Sequence, residues 1–265
     1  GQYQHAIDGR CKDGSRWASA AVAVEKWSHR YLRLDRWVNH FVAPSGELAR
    51  VLIADGLPAE KVVHLPNFVR GPKHPITRGT PDAGAEPTLR SGVVFVGRLT
   101  PEKGASLLVE AACTKPIFSV EIIGDGVERR ALQSAAPPNV SFAGALDRNQ
   151  VAARLSRAAV AVVPSRWPEN HPYAVLEAQA AGCPVIAAKI GGIPEMIEPG
   201  VDGLLVPPND ANALAQAIRS ILENSALAAE LSAGGLIRAR KASQIRWVEN
   251  MDVLLWGAQE AKTVG

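Results

Sequence analysis

The sequence predicts an α/β fold, a doubly wound Rossmann-like parallel sheet, and three observations support this class. From residue 92 onward, short apolar runs rich in β-branched residues alternate with segments of helical periodicity. Gly and Pro stand at the joins between these segments. The runs are as apolar as strands that are covered on both faces, which is typical of a parallel sheet.

The elements of the sheet follow one another in chain order. Strands are predicted at the apolar runs, which are residues 93–96, 119–123, 139–142, 159–163, 184–187 and 203–206. Helices are predicted between and after them, at residues 104–112, 127–135, 148–157, 173–181 and 211–222. We therefore expect a nucleotide-binding domain over 92–242, followed by a closing helix within 243–265 that includes 247–255.

The first third of the chain predicts a different unit. Residues 16–39 have helical periodicity and predict one long helix with aromatic residues on one face and arginines on the other. A strand (40–43), a helix (45–54) and a strand (61–65) follow. This set is too small for its own sheet, and the chain begins at Gly1. We expect residues 1–69 to be the remnant of a larger N-terminal domain, and the Gly- and Pro-rich residues 70–91 to be a linker.

Composition limits the class of protein. Hydrophobic residues make up 47% and charged residues 21%, values that are ordinary for a globular chain. The net charge of +3 is too small and too scattered for nucleic-acid binding. Three widely spaced cysteines predict neither a disulfide framework nor a zinc site, and they favour a reducing, cytoplasmic setting. No uncharged apolar run approaches the roughly 18 residues of a membrane-spanning helix.

A first cluster of charged residues follows the first strand of the predicted sheet. Gly97 and Arg98 come directly after that strand, and Lys103 stands before the next helix. In a doubly wound sheet, ligands bind beyond the carboxyl ends of the strands, and anions favour helix N-termini. Arg98 and Lys103 are thus candidates for binding a diphosphate. The alternative is a surface loop with two solvated cations.

A glycine pair follows the second strand. Gly124-Asp125-Gly126 resembles part of a dinucleotide fingerprint, but Arg129 stands where the third glycine is required. A nicotinamide-dependent dehydrogenase is therefore disfavoured. A tight turn between strand and helix is the better interpretation.

A pair of glutamates follows the fourth strand. Glu169 lies on a loop bounded by prolines, and Glu177 lies inside the following helix, about two turns beyond its cap. Both carboxylates can face one cleft, and a carboxylate accepts two hydrogen bonds from vicinal hydroxyls. Asn170 and His171 are expected to present N–H groups at the helix start. Further on, the paired glycines 191 and 192 allow a close approach of the backbone to a ligand.

Taken in order over residues 40–265, the chain resembles the retaining GT-B glycosyltransferases of family 4, the glycosyl transferases group 1. Five segments carry the resemblance: VGRLTPEKG (96–104), IIGDG (122–126), VPSRWPENHPYAVLEAQAAGCPVIA (163–187), GGIPEMI (191–197) and DGLLVPPND (202–210). Upstream, FVAPSGELARVLIADGLPAEKVVHLPNFV (41–69) is similar to the end of the family's N-terminal domain.

The resemblance implies a role for each matching residue. Arg98 and Lys103 are similar to the family's diphosphate-binding pair, and Glu177 to its ribose-binding glutamate. Glu169 is similar to the glutamate that holds the donor sugar. The resemblance further implies a nucleotide site that includes Gly97 and Leu176, and a sugar site that includes Asn170, His171 and Pro172. Gly191 and Gly192 would only shape the pocket, and Glu195 is either a charge at a helix start or a ligand.

The resemblance also implies a reaction, in which a sugar passes from a nucleotide-diphosphate sugar to an acceptor with retention of configuration. Arg98, Lys103 and Glu169 are the expected catalytic residues, with no metal or other cofactor. Retention in such enzymes is ascribed to attack from the face of the leaving group, so Glu169 is not expected to be a nucleophile. The alternative is a non-catalytic module that binds a nucleotide sugar. We expect a UDP or GDP sugar as donor.

The acceptor is the least determined part. The resemblance implies a sugar- or lipid-linked acceptor, cell-surface polysaccharide biosynthesis and a cytoplasmic location, with contact to the inner face of the membrane as an option. The family places an acceptor-side histidine in its N-terminal domain, and His5 is the one early histidine outside a predicted element. Helix 16–39 can dock on anionic lipid or pack against another domain, and packing is favoured because aromatic residues at helical spacing are typical of a core.

Overall fold

The structure, a computed structural model, describes residue 8 and residues 15–69, 90–114, 118–242 and 244–256. His5, most of the expected linker (70–89) and the end of the chain after Trp256 lie outside the described residues. The chain divides into two compact units. The first comprises Gly1–Ala43 and Leu48–His64, and the second comprises Pro44–Glu47 and Leu65–Gly265.

Within the described residues, the first unit contains helical segments and a parallel pair of strands. Helix α1 (Arg16–Tyr31) precedes strand β1 (Phe41–Ala43), which pairs with strand β2 (Val62–His64) in parallel. Short 3₁₀ helices lie at Leu34–Trp37 and Ala59–Lys61. Helix α2 (Gly46–Ala54) lies between the two strands in the chain, and its first two residues belong to the second unit.

The prediction of one helix over 16–39 is wrong at its C-terminal end. Helix α1 ends at Tyr31, and Arg33 adopts a left-handed backbone conformation with φ 50°. A left-handed residue cannot continue a right-handed helix, so the chain turns there. The Lys61 ammonium then donates to the carbonyl oxygens of Asp35 and Val38 at 3.0 and 2.8 Å. These contacts satisfy carbonyl groups that a longer helix would have used.

The second unit is built on a six-stranded parallel sheet, which confirms the predicted fold class. Its strands are β3 (Val93–Val96), β4 (Val120–Ile123), β5 (Val140–Gly144), β6 (Val160–Val163), β7 (Val185–Ala188) and β8 (Leu204–Val206). Their order across the sheet is β5-β4-β3-β6-β7-β8. The predicted strand at 93–96 has the observed bounds, and the other five differ by one or two residues.

Helices connect the strands. They are α3 (Ala105–Thr114), α4 (Arg129–Ala135), α5 (Arg148–Arg157), α6 (Tyr173–Ala180), α7 (Ile193–Met196), α8 (Ala211–Leu222), α9 (Ser225–Lys241) and α10 (Gln244–Trp256). The bounds predicted for α5 and α8 are the observed ones. The sequence interpretation did not predict α7 and α9. The predicted start of α3 at residue 104 is wrong, because Gly104 is left-handed (φ 69°) and closes a 3₁₀ turn before the helix.

The core lies on both faces of the sheet. Along β3, Val93 and Phe95 join one buried cluster and Val94 joins the other. Strand β6 repeats this pattern, because Val160 and Val162 face one cluster while Ala161 faces the other. Alternate residues of a strand point to opposite faces, so apolar side chains at every position require a cover on each side. The helices supply that cover.

The strand order creates a crevice at one edge of the sheet. From β3 the chain moves outward through β4 to β5, and it then returns to place β6 on the other side of β3. The loops that leave the carboxyl ends of β3 and β6 therefore diverge. Such a switch point is where doubly wound sheets bind ligands.

Candidate functional site

A cleft of about 480 Å³ lies at the switch point between β3 and β6. We refer to it as the strand-end cleft. Its charged and polar lining residues come from the loop after β3, from the loop after β6 and from helix α6. They are Arg98, Lys103, Ser165, Glu169, Asn170, His171, Tyr173 and Glu177, together with Asn67.

The loop after β3 is fixed by the loop after β4. The N–H of Gly97 donates to the carbonyl of Ile123 at 3.0 Å, and that of Leu99 donates to Asp125 at 2.9 Å. A Cβ atom on Gly124, whose φ is +141°, would lie 1.8 Å from the Gly97 carbonyl oxygen. Only glycine fits there. The Gly-Asp-Gly turn thus holds the backbone that carries Arg98.

The two cations of this loop differ in their surroundings. Arg98 is 72% exposed and lies 3.4 Å from Glu102. Lys103 is 25% exposed, and its Nζ lies 2.6 Å from Oε1 of Glu169. A hydrogen bond from its own backbone N–H, reinforced by the charges of Arg98 and Lys103, holds the pKa of Glu102 below its usual value. Because Arg98 is largely exposed, it can contact an entering anion, whereas Lys103 is already held by its ion pair with Glu169.

Glu169 is held from three sides. Its Oε1 accepts from the Lys103 ammonium and, at 3.0 Å, from the hydroxyl of Ser165, which is buried. Behind it, the N–H of Gly192 donates to the Glu169 carbonyl at 2.6 Å. The sequence interpretation missed Ser165, although its place directly after the strand in the Val-Pro-Ser segment was a usable signal. The paired glycines support the loop from behind and do not line the cleft.

Glu177 lies one turn into α6, because that helix begins at Tyr173. Counted from the cap at Pro172, Glu177 lies about 1.4 turns along, so the expectation of about two turns is too long by roughly half a turn. The side chain is 27% exposed, and burial raises its pKa, which the charge of Arg148 lowers in part. Arg148 Nε lies 3.9 Å from the carboxylate. Within the described part of the chain, no hydrogen bond reaches the Glu177 carboxylate, so it is ready to accept from a ligand.

The start of α6 completes the cleft. Asn170, His171 and Pro172 line it, and the His171 carbonyl accepts from the amide of Asn67 at 2.9 Å. Pro172 occupies the N-cap position, and none of the side chains that the structure describes caps the helix. The N-terminus of a helix without a capping side chain has N–H groups to offer an anion.

Most of the residues proposed from the sequence lie together. Gly97, Arg98, Lys103, Glu169, Asn170, His171, Pro172 and Glu177 all line the strand-end cleft. Leu176 does not. Its side chain is 2% exposed in the core cluster beneath α6, and it borders a second cavity of about 500 Å³.

Glu195 also lies away from the strand-end cleft. Its carboxylate accepts from the backbone N–H groups of Gly46 and Glu47 at 2.7 and 2.8 Å, within the second unit. A carboxylate at a helix N-terminus stabilises the helix dipole. Of the two roles that the sequence left open, the contacts favour the charge at a helix start. The helix is α2, although the sequence places Glu195 in α7.

Among the described residues, no group of three or more His, Cys, Asp or Glu side chains is arranged to hold a metal ion. Among the same residues, no helix combines the length and the apolar character needed to span a membrane.

A doubly wound sheet with a polar cleft at its switch point defines a ligand-binding α/β domain. Residues 82–236 match the family described as glycosyl transferases group 1, and the chain belongs to that family. The D-inositol 3-phosphate glycosyltransferase of Mycolicibacterium smegmatis is 31% identical over 232 residues, which are 79% of this chain and 52% of that protein. The glycogen synthase of Mycobacterium tuberculosis is 30% identical over 88% of this chain and 56% of its own length. The chain thus spans about half the length of these curated relatives.

Solved structures share the fold. Sucrose-phosphate synthase from Thermosynechococcus elongatus superimposes with a TM-score of 0.70 and 27% identity, over 86% of this chain and 61% of that one. Anabaena Alr3699/HepE in complex with UDP has a TM-score of 0.69 and 24% identity, over 80% and 62%. These structural neighbours are glycosyltransferases with the GT-B architecture, which agrees with the fold expected from the sequence.

Proposed function

We propose that this chain provides the donor-binding half of a retaining GT-B glycosyltransferase of family 4. Such an enzyme moves a sugar from a nucleotide-diphosphate sugar to an acceptor. The observation that carries the proposal is the meeting of two cations and two carboxylates in the strand-end cleft. Arg98 and Lys103 suit a diphosphate, and Glu169 and Glu177 suit the hydroxyl groups on either side of it.

The leaving diphosphate is stabilised by positive charge. Breaking the bond between sugar and phosphate leaves negative charge on the phosphate oxygens, and fixed donors aimed at that charge lower the barrier. Arg98, Lys103 and the N-terminus of α6 supply such donors. This set requires no metal ion, and we propose that none takes part.

Glu169 is proposed to orient the sugar. Its Oε1 already accepts from Lys103 and Ser165, whereas no hydrogen bond from the described residues reaches Oε2. Oε2 can therefore accept from a sugar hydroxyl. Because Oε2 is assigned to a sugar hydroxyl, Glu169 is not proposed as a nucleophile, and retention is proposed to follow from attack on the face of the leaving group.

Glu177 is proposed to accept from the ribose hydroxyls, because its carboxylate lines the same cleft and has no hydrogen-bond partner among the described residues. Gly97 and the backbone of Leu176 would complete the nucleotide site. Asn170, His171 and Pro172 would contact the sugar. UDP-glucose is the first donor to test, because HepE, a structural relative, was solved in complex with it.

The proposal also covers the class of acceptor and the location of the protein. We infer an acceptor that is sugar- or lipid-linked, and a role in cell-surface polysaccharide biosynthesis on the cytoplasmic side. Residues 1–69 are proposed to belong to the acceptor-side domain, joined through 70–91 to the donor domain (92–242) and its closing helix.

Calorimetry tests the donor site. We expect wild type to bind one of UDP, GDP or ADP, and Arg98→Ala to weaken that binding about tenfold or more, because a charge-assisted hydrogen bond to phosphate is lost. Arg240→Ala is the matched control, since Arg240 is exposed on α9 and lines neither cavity. The donor-site proposal is wrong if wild type binds none of the three at millimolar concentration.

A non-catalytic nucleotide-sugar-binding module is the second candidate, because the same cleft serves binding alone. Transfer of radiolabelled glucose from UDP-glucose, measured on the full-length protein with candidate acceptors, separates the two. Binding without transfer or donor hydrolysis would favour the module.

A further inference from the structure

Arg148 occupies a position where a cation does not help its own helix. It is the first residue of α5, and positive charge at a helix N-terminus opposes the helix dipole. The helix start is already satisfied without it. Asp147 caps it by accepting from the N–H groups of Asn149 and Gln150, and the Gln150 side chain accepts from the Asp147 N–H. Helix stability therefore does not account for Arg148.

Among the described residues, Arg148 forms an ion pair with Glu177. Its guanidinium lies 3.9 Å from Oε1 of that carboxylate, which is within ion-pair range but beyond hydrogen-bond range. The charge therefore acts on Glu177 without using either of its oxygens as a hydrogen-bond acceptor. Arg148 itself is 66% exposed and is not among the residues that line the strand-end cleft.

The other charged groups near Glu177 have partners of their own. Within the cleft, Lys103 is paired with Glu169, and Arg98 lies against Glu102. His171 and Tyr173 also line the cleft. Of these cations, Arg148 is therefore the one that forms an ion pair with Glu177 among the described residues, and it does so from the neighbouring helix α5.

We propose that Arg148 is a positioning residue for the donor nucleotide, acting by keeping the half-buried Glu177 carboxylate ionised for the ribose hydroxyls. The inference rests on the proposed function, since it assigns the nucleoside end of that site. It predicts that loss of the Arg148 charge affects ribose recognition below neutral pH and leaves the diphosphate contacts intact.

The first measurement needs no ligand. In protein labelled with ¹³C at the glutamate carboxyl groups, and with the Glu177 signal assigned from Glu177→Gln, Arg148→Gln is expected to raise the pKa of Glu177 above that in wild type. The sign follows from removal of a cation that favours the charged form. Arg154→Gln is the matched control. It removes the same charge from the same helix, but Arg154 pairs with Glu121 at 2.9 Å. An unchanged titration in Arg148→Gln would overturn the inference.

The second measurement compares UDP with 2′,3′-dideoxy-UDP. We expect Arg148→Gln to weaken UDP binding roughly two- to fivefold at the midpoint of the Glu177 titration that the first measurement gives, as for loss of an exposed ion pair, and less at pH 8. Binding of the dideoxy nucleotide should be unchanged at both pH values. Equal losses for both nucleotides at both pH values would mean that Arg148 contacts the diphosphate directly, which contradicts a positioning role.

The two proposals fail differently. Absence of nucleotide binding by wild type rejects the proposed function and, with it, the role of Arg148 toward a nucleotide. Nucleotide binding that Arg148→Gln leaves unchanged at the midpoint of the Glu177 titration rejects this inference alone.

Discussion

At the scale of single residues, the features that suit Glu177 to ligand binding lower the stability of the folded protein. Its carboxylate is half-buried, and no hydrogen bond from the described residues compensates for lost hydration. Burial therefore raises its pKa, and the ionised form that a ribose would need is the form the folded protein tolerates less well. Residues at binding sites often carry such a cost.

Glu177→Gln should make the protein more stable at pH 8 than wild type, by about 0.5 kcal/mol. Folding raises the pKa of this carboxyl group. Its contribution to stability is therefore fully present at pH values below its pKa in the unfolded chain, near 4.5, and is lost as the pH rises through its pKa in the folded protein. The advantage of the variant should thus disappear near pH 4. Urea unfolding at both pH values measures it. An equal difference at both pH values would contradict this account.

The cysteines give a second prediction at this scale. Cys183 is buried, and burial raises the pKa of its thiol to about 12, whereas Cys113 is exposed. The thiolate is the reactive form. Iodoacetamide at pH 8 should therefore modify Cys113 and spare Cys183 in the native protein, as read by peptide mass mapping. Urea should make both reactive. Native modification of Cys183 as fast as that of Cys113 would show that its environment is open.

Residue identities in the cleft were predictable where a motif carried them. Arg98, Lys103, Glu169 and Glu177 stand in segments that follow strands, and the cleft contains all four. Ser165 and Arg148 were not predicted as site residues. Their relevance lies in contacts with side chains on other segments, which no local pattern encodes.

At the scale of elements, the loop that carries Glu169 depends on the loop after β7. Gly191 has φ +58°, and a Cβ atom there would lie 2.5 Å from the Glu169 carbonyl oxygen. Backbone atoms cannot yield as a flexible side chain can. A side chain at position 191 would therefore push the backbone at Glu169 away from the loop after β7.

Gly191→Ala should destabilise the protein by about 2 kcal/mol or more and weaken nucleotide-sugar binding, because it combines left-handed strain with displacement of Glu169. Gly200→Ala is the matched control. Gly200 has φ +83°, but none of the described residues comes within 4 Å of the added carbon. It should cost about 1 kcal/mol from strain alone and leave binding unchanged. Thermal unfolding and calorimetry measure both effects. Equal losses of stability in the two variants would contradict the loop contact.

Element boundaries were less predictable than element types. The segment 16–39 has helical periodicity throughout, yet α1 ends at Tyr31 because Arg33 adopts a left-handed conformation. No glycine marks that position in the sequence. The contacts of Lys61 with the carbonyls that follow come from a residue more than 20 positions away, which periodicity cannot register.

At the scale of the molecule, helix α1 exposes large aromatic side chains. Trp17 and Trp27 are 87% and 59% exposed, and the Trp27 ring stacks on that of Tyr31 with centroids 5.3 Å apart. An apolar face of this kind requires a cover. We propose that this face is covered by protein in preference to lipid.

Vesicle sedimentation distinguishes the two covers. With vesicles of phosphatidylglycerol and phosphatidylcholine, the chain is expected to remain in the supernatant. Sedimentation that is lost in the double variant Trp17→Ser, Trp27→Ser would contradict the proposal and establish a membrane-docking helix.

The fold and the edge of the sheet that holds the site followed from the sequence because both depend on local order. Apolar runs alternating with helical segments specify parallel strands, and the carboxyl ends of parallel strands share one edge, so the loops that follow them converge. Which side chains pair with one another at that edge could not be predicted in the same way. Lys103 and Glu169 are 66 residues apart, and Glu195 meets Gly46 across 149 residues. Such contacts depend on the strand order and on distances of a few ångströms, which only the packed chain sets. The strand-end cleft was therefore predictable as a place, and the division of its charges between partners was not.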